Sequence, residues 1–324
     1  MSSRGGRILT VVLAAVALNA CNVGPQTAGI DGSGVRSSIV AQGPIQGFGS
    51  VIVNGQHYAV TNAQISVDGR AASEADLAIG QYVTVSGSVD ATGGNRIADS
   101  VEFDANVLGP VQAADAATGT LVVLRQPVTT TTQTVLDLGT AGAGLDALAL
   151  GDFVAVSGFV AQDGSIKATW IKRSSSGQMQ VIGTVSVLDP AHFRFQLNDL
   201  VVDYSAAATL NGFSSGAPAN GDRVRVTGTM LQPNGMLTAN EIDRIQSQFS
   251  EHEGEGAEIE GLITRFASAT DFDVSGNPVT TTASTTYEGG SASSLQLNVQ
   301  VQVQGTVNSS GILVAQKISV STDN

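Results

Sequence analysis

Apolar and polar positions alternate along this chain in short runs punctuated by glycine, and one such run recurs four times. Val83 and Val85 flank Thr84, Val154 and Val156 flank Ala155, Val224 and Val226 flank Arg225, and Val301 and Val303 flank Gln302. A period of two with β-branched residues on one face predicts a half-buried strand. Each run follows Gly80, Gly151, Gly221 or Asn298. That position predicts a tight turn with positive φ, where Asn is the next best choice after Gly. A second glycine (Gly87, Gly158, Gly228, Gly305) lies inside the apolar run and predicts a bulge or sharp bend. A third (Gly94, Gly164, Gly235, Gly311) sits among polar residues and predicts a hairpin turn. The returning strand then carries Ala98 and Val101, Ala168 and Ile171, Ala239 and Ile242, or Ala315 and Ile318.

Upstream of each hairpin lie two or three further strand signals, such as Val51-Ile52-Val53 before Asn54-Gly55 and Leu121-Val122-Val123 after Gly119. About five strands per unit predict an all-β chain of four tandem, five-stranded, OB-like small barrels. A two-layer sandwich per unit is the alternative. The expected units are 43–109, 110–175, 178–246 and 259–320, with an acidic linker at 247–258. A unit this small buries only about 60% of its unfolded surface, so neighbours are expected to pack together.

Residues 1–20 read as a cleaved signal peptide: Arg4 and Arg7, then an apolar run from Ile8 to Leu18 too short to span a bilayer. Leu18-Asn19-Ala20-Cys21 resembles a bacterial lipobox, which implies lipidation of Cys21 and a lipid anchor in the membrane. An ordinary signal with a free cysteine at its edge is the alternative. Cys21 is the one cysteine, so no disulfide forms within the chain. Asn22 in place of Asp points to the outer membrane of a Gram-negative envelope. Residues 21–42 are small and polar and read as a flexible tether. The formal charge is −13, and Arg4 and Arg7 leave with the signal, so the mature chain is more acidic still. Such a balance argues against nucleic acid as a partner, because phosphate binding needs a basic face.

Gly47-Phe48-Gly49-Ser50-Val51-Ile52-Val53-Asn54-Gly55, followed by Gly80-Gln81-Tyr82-Val83-Thr84-Val85-Ser86-Gly87, resembles the bacterial domain-of-unknown-function family 5666. Gly109-Pro110-Val111 and Gly119-Thr120-Leu121-Val122-Val123-Leu124 carry the same resemblance in the second unit. It extends over about residues 43–320 and is weaker in units three and four. It implies an envelope lipoprotein built of β-barrel repeats and brings no activity, catalytic residue or cofactor.

Candidate chemistry is sparse. Tyr82 and Phe153 share a repeat position with Arg223 and Gln300, on the strand face opposite the valines. Together with Trp170 they are candidate ligand-stacking aromatics; packing in the seam between units one and two is the alternative for Tyr82 and Phe153. Arg223 and Arg225 are expected to pair with nearby acids. Glu251, His252, Glu253 and Glu255 are candidate ligands for a divalent metal, although such runs are also ordinary solvated linkers. Asp152 and Asp222 have the chemistry of paired hydrolytic acids, but follow a turn glycine where Asp is common. No nucleophile elbow, zinc-protease helix or phosphate loop is present. The expected function is a non-enzymatic envelope module, without cofactor, that binds a glycan or protein partner or acts as a spacer. A metal-dependent adhesin, or a hydrolase with acids between modules, are the alternatives.

Overall fold

The computed structural model describes residues 36–140, 142–175, 177–206, 208–247, 249 and 252–321. The expected signal, most of the expected tether, Cys21 and Glu251 lie outside them.

Unit 1 contains β1 (Ser37–Gly47), β2 (Val51–Val53), β3 (Gln56–Ala59), β4 (Gln64–Val67), β5 (Arg70–Ala72), β6 (Tyr82–Val89) and β7 (Arg96–Phe103). Unit 2 contains β8 (Val107–Asp115), β9 (Thr120–Val123), β10 (Gln126–Thr129), β11 (Val135–Asp137), β12 (Phe153–Val160) and β13 (Ile166–Arg173). Unit 3 contains β14 (Met179–Thr184), β15 (Ser186–Asp189), β16 (Arg194–Leu197), β17 (Leu200–Asp203), β18 (Thr209–Asn211), β19 (Arg223–Leu231) and β20 (Leu237–Arg244). Unit 4 contains β21 (Gly256–Ser268), β22 (Asp271–Val274), β23 (Asn277–Glu288), β24 (Gln300–Val307) and β25 (Leu313–Val320).

In units 1, 2 and 4 the pairings close a ring, and in unit 3 the ring closes through a first strand broken at Val185 into β14 and β15. In unit 1, β1 pairs β2, β2 pairs β3, β3 runs parallel to β7, β7 pairs β6, and β6 returns to β1. Unit 4 repeats the ring with β21, β22, β23, β25 and β24. These are small five-stranded barrels, with the third strand split into two pieces in units 1 to 3. The inward valines make each core: Val83, Val85, Val154, Val156, Val224, Val226, Val301 and Val303 are all buried.

Both structural glycine positions do what their spacing predicts. The turn before the hairpin has φ of 89° at Gly80, 88° at Gly151, 91° at Gly221 and 63° at Asn298. At the second position the strand register shifts in all four units. A Cβ there would lie 2.1 to 2.3 Å from a carbonyl oxygen of the returning strand, so only glycine lets the hairpin bend this tightly.

First strands also join units to one another. β1 runs parallel to β21, with Ile39 to Gln42 opposite Gly256 to Ile259. β8 runs antiparallel to β14, with Val107 opposite Val181. Two expected boundaries therefore move. Residues 37–42, placed by their small and polar composition in the tether, begin β1 because they pair with β6 along one edge and β21 along the other. Residues 256–258, placed in the acidic linker, begin β21 for the matching reason.

Candidate functional site

Outward-facing side chains of the hairpin strands build the seams between units. Tyr82 on β6 packs edge-on against Phe159 of β12, with ring centroids 5.8 Å apart. Its backbone N–H donates to Ser157 Oγ at 2.8 Å, and its hydroxyl donates to the Glu260 carbonyl of unit 4 at 2.9 Å. Burial raises the Tyr82 pKa, so the phenol stays protonated as a donor.

Beside this contact a cleft of about 800 Å³ opens where units 1, 2 and 4 meet. One wall is a polar chain: Lys167 Nζ donates to Gln300 Oε1 at 3.3 Å, and Gln300 Nε2 donates to Glu260 Oε1 at 2.9 Å. Burial pushes the Glu260 carboxyl above its ordinary range, against the stabilising Gln300 amide. Glu260 is the one carboxylate among the described residues lining the cleft. Thr131, Thr132 and Gln133 line it as well, together with Pro44, Ile45 and Ile79. Gln46 accepts the Gly55 N–H through Oε1 at 2.8 Å, which leaves its amide nitrogen to donate.

The candidate aromatics are placed differently from their expected role. Trp170 is 3% exposed and leaves β13 into the core of unit 1, edge-on to Phe103 at 5.6 Å. Its ring joins two barrels and offers no face to a ligand. Gly80 makes room for it, since a Cβ there would meet Thr169 O at 2.5 Å. Tyr82 lies in the seam of units 1 and 2, but reaches unit 4 as well. Phe153 packs instead against the core shared by units 2 and 3. Tyr82 and Trp170 are seam residues, each reaching from its own barrel to a neighbouring one.

Of the candidate metal ligands, only His252 and Glu255 meet among the described residues. Glu251 lies outside the described residues, His252 Nδ1 lies 2.6 Å from Glu255 Oε2, and Glu253 is exposed. Among the described residues no group of three His, Cys, Asp or Glu is arranged to hold a metal. Asp152 and Asp222 accept the Ala149 and Ala219 N–H groups, at 3.0 and 2.8 Å, and Gln81 does the same for Ala78. They hold the turn before each hairpin and lie in separate units. Arg225 pairs with acids as expected, and Arg223 pairs with none among the described residues.

Glu260, Gln300, Lys167, Thr131, Thr132 and Gln133 were not singled out by sequence as a site. The shared position of Tyr82, Arg223 and Gln300 was the available signal; what it lacked was which unit each would face.

No curated protein matches the chain. Among solved structures, one described as drosophila Unr CSD456 is similar at 13% identity, over 68% of this chain and 98% of that one, with a TM-score of 0.17. A family model described as a domain of unknown function, DUF5666, matches residues 40–102, 109–172, 182–243 and 260–319. Each match coincides with one closed barrel, and the chain belongs to the DUF5666 family.

Proposed function

We propose that this chain is a non-enzymatic binding module of the cell envelope, anchored by a lipid on Cys21, and that it holds an oligosaccharide in the cleft between units 1, 2 and 4. The lining of that cleft carries the reading. Thr132, Gln133 and the Gln46 amide present neutral hydrogen-bonding groups beside the apolar Ile45, Ile79 and Pro44. Sugars match such a surface, with hydroxyls that both donate and accept and with apolar C–H faces. The cleft volume of about 800 Å³ falls within the roughly 300–1,000 Å³ of ligand sites, which favour interfaces between domains. OB-like barrels are a known platform for oligosaccharides. The formal charge of −13 speaks against a polyphosphate ligand. A single carboxylate among the described lining residues supports binding over turnover, because glycoside hydrolysis commonly uses a pair.

The test is binding of soluble residues 22–324 to an array of cell-wall and capsular glycans, with and without calcium. Thr132→Ala, at an exposed position lining the cleft, is expected to weaken a saturable hit roughly tenfold, about one well-made hydrogen bond. No hit in either condition would sink the oligosaccharide reading. The anchor is tested separately: fatty-acid labelling of the full chain in cells should disappear in Cys21→Ser.

A further inference from the structure

Arg223 and Arg225 leave β19 two residues apart on one face, yet their surroundings are opposite. Arg225 is held by Asp104 and Asp243, each at 2.9 Å. Arg223 donates from Nη1 to the Ser275 carbonyl at 2.7 Å, and no described carboxylate pairs with it. Arg223 is half-buried, and that partial loss of water lowers its pKa.

This guanidinium lines a cavity of about 180 Å³ where units 1, 3 and 4 meet, separate from the larger cleft. Two carboxylates line it too. Asp104 is already committed to Arg225. Glu102, on β7, is exposed and makes no ion pair with a described residue. Asn106 also lines the cavity; its Oδ1 accepts the Gly158 N–H at 2.8 Å, so its amide has N–H groups to give. Among the described residues, the cavity thus holds one cation and one anion without an ion-pair partner, beside neutral amides.

We propose that this cavity is a second binding site, for a small α-amino acid, with the ligand carboxylate on the Arg223 guanidinium and its ammonium on Glu102. The planar guanidinium presents parallel N–H donors that match a carboxylate, which ammonium donors or neutral amides do not. The volume limits the ligand to a small side chain. Binding supplies each group with a counter-charge.

Titration of residues 22–324 with L-alanine, acetate and ethylammonium, followed by calorimetry or amide chemical shifts, tests this. L-alanine should bind saturably and more tightly than acetate or ethylammonium. Arg223→Gln should weaken L-alanine at least about tenfold, the loss of a charge-assisted hydrogen bond. Glu102→Gln alters an exposed residue and is expected to leave the fold intact. It should weaken L-alanine about two- to fivefold, in line with an exposed ion pair, while leaving acetate unchanged or tighter. That opposite response keeps the proposal testable even if Arg223→Gln fails to fold. Absence of saturable L-alanine binding, undiminished binding in Arg223→Gln, or equal weakening of L-alanine and acetate in Glu102→Gln would each overturn it.

Discussion

Two seams in this molecule use the same device, a first strand of one barrel paired with a first strand of another, and seal it in different ways. Between units 2 and 3, β8 and β14 run antiparallel and the two barrel cores merge into one apolar cluster spanning Val107 to Ile242. Between units 1 and 4, β1 and β21 run parallel and the cores stay separate. That second seam encloses Arg96, whose Nη1 lies 3.2 Å from Glu258 Oε1, with the guanidinium 5.7 Å from the Tyr58 ring centroid. Gln304 Nε2 donates to the same Glu258 oxygen at 3.1 Å. Glu258 Oε2 and Arg96 Nε are buried without partners. An apolar seam gains stability from every methyl it buries, in any register that keeps the faces matched. A buried ion pair contributes little net stability, but losing one member is costly, so the polar seam fixes register and tolerates substitution poorly.

The largest expected effect follows from that asymmetry. Glu258→Ala leaves the Arg96 guanidinium buried and unpaired, and should cost about 3–5 kcal/mol in urea denaturation. Glu258→Gln keeps an acceptor and should cost less. A loss under about 1 kcal/mol for Glu258→Ala, the scale of an exposed pair, would mean that the seam is wet and the comparison mistaken.

A smaller effect is expected where polarity intrudes on the apolar seam. Gln126 is buried; its Nε2 donates to the Leu124 and Leu197 carbonyls, each at 3.1 Å, and its Oε1 accepts from Asn198 Nδ2 at 2.8 Å. Gln126→Ala strands those groups and should cost about 1–3 kcal/mol. A cost equal to that of Glu258→Ala would show that the merged core does not dominate the seam of units 2 and 3.

These seams also mark where the sequence stopped being informative. The inward valines, the positive-φ turn and the bulge glycine recur because each barrel must satisfy the same backbone geometry, so four closed units were legible from spacing alone. The outward positions of the same strands do not recur: Tyr82, Phe153, Arg223 and Gln300 each meet a different neighbour. Nothing local in the chain says that Trp170 enters the core of unit 1, or that Glu258 belongs to a strand rather than to an acidic linker. Both depend on pairings between segments far apart in sequence, and the cleft beside Glu260 inherits that dependence because three units build it.

The smallest expected effect is one of pH, and it separates the seams most cleanly. Burial raises the pKa of Glu258, against the opposing pull of Arg96 and Gln304. It also raises Asp68, which accepts from Gln180 of unit 3, and Glu260. All three lie at junctions between units, and none lies in the merged core of units 2 and 3. A carboxyl with a raised folded pKa favours the protonated native state. Its contribution is complete below its ordinary value, near 4.5 for Glu, and is lost as pH rises through the folded value. Turn acids such as Asp90 and Asp163 have lowered pKa values and act in the other direction, losing their contribution as pH falls below their ordinary value near 3.8. The two windows do not overlap, so above pH 5 the seam acids set the sign. The wild-type urea midpoint should therefore fall as pH rises from about 4.5 through the folded values of these acids, and the fall should be shallower in Glu258→Gln, which has no proton to lose there. An equal slope in the two proteins would mean that Glu258 is ionised throughout that range and that the seam of units 1 and 4 is no more pH-sensitive than its apolar counterpart.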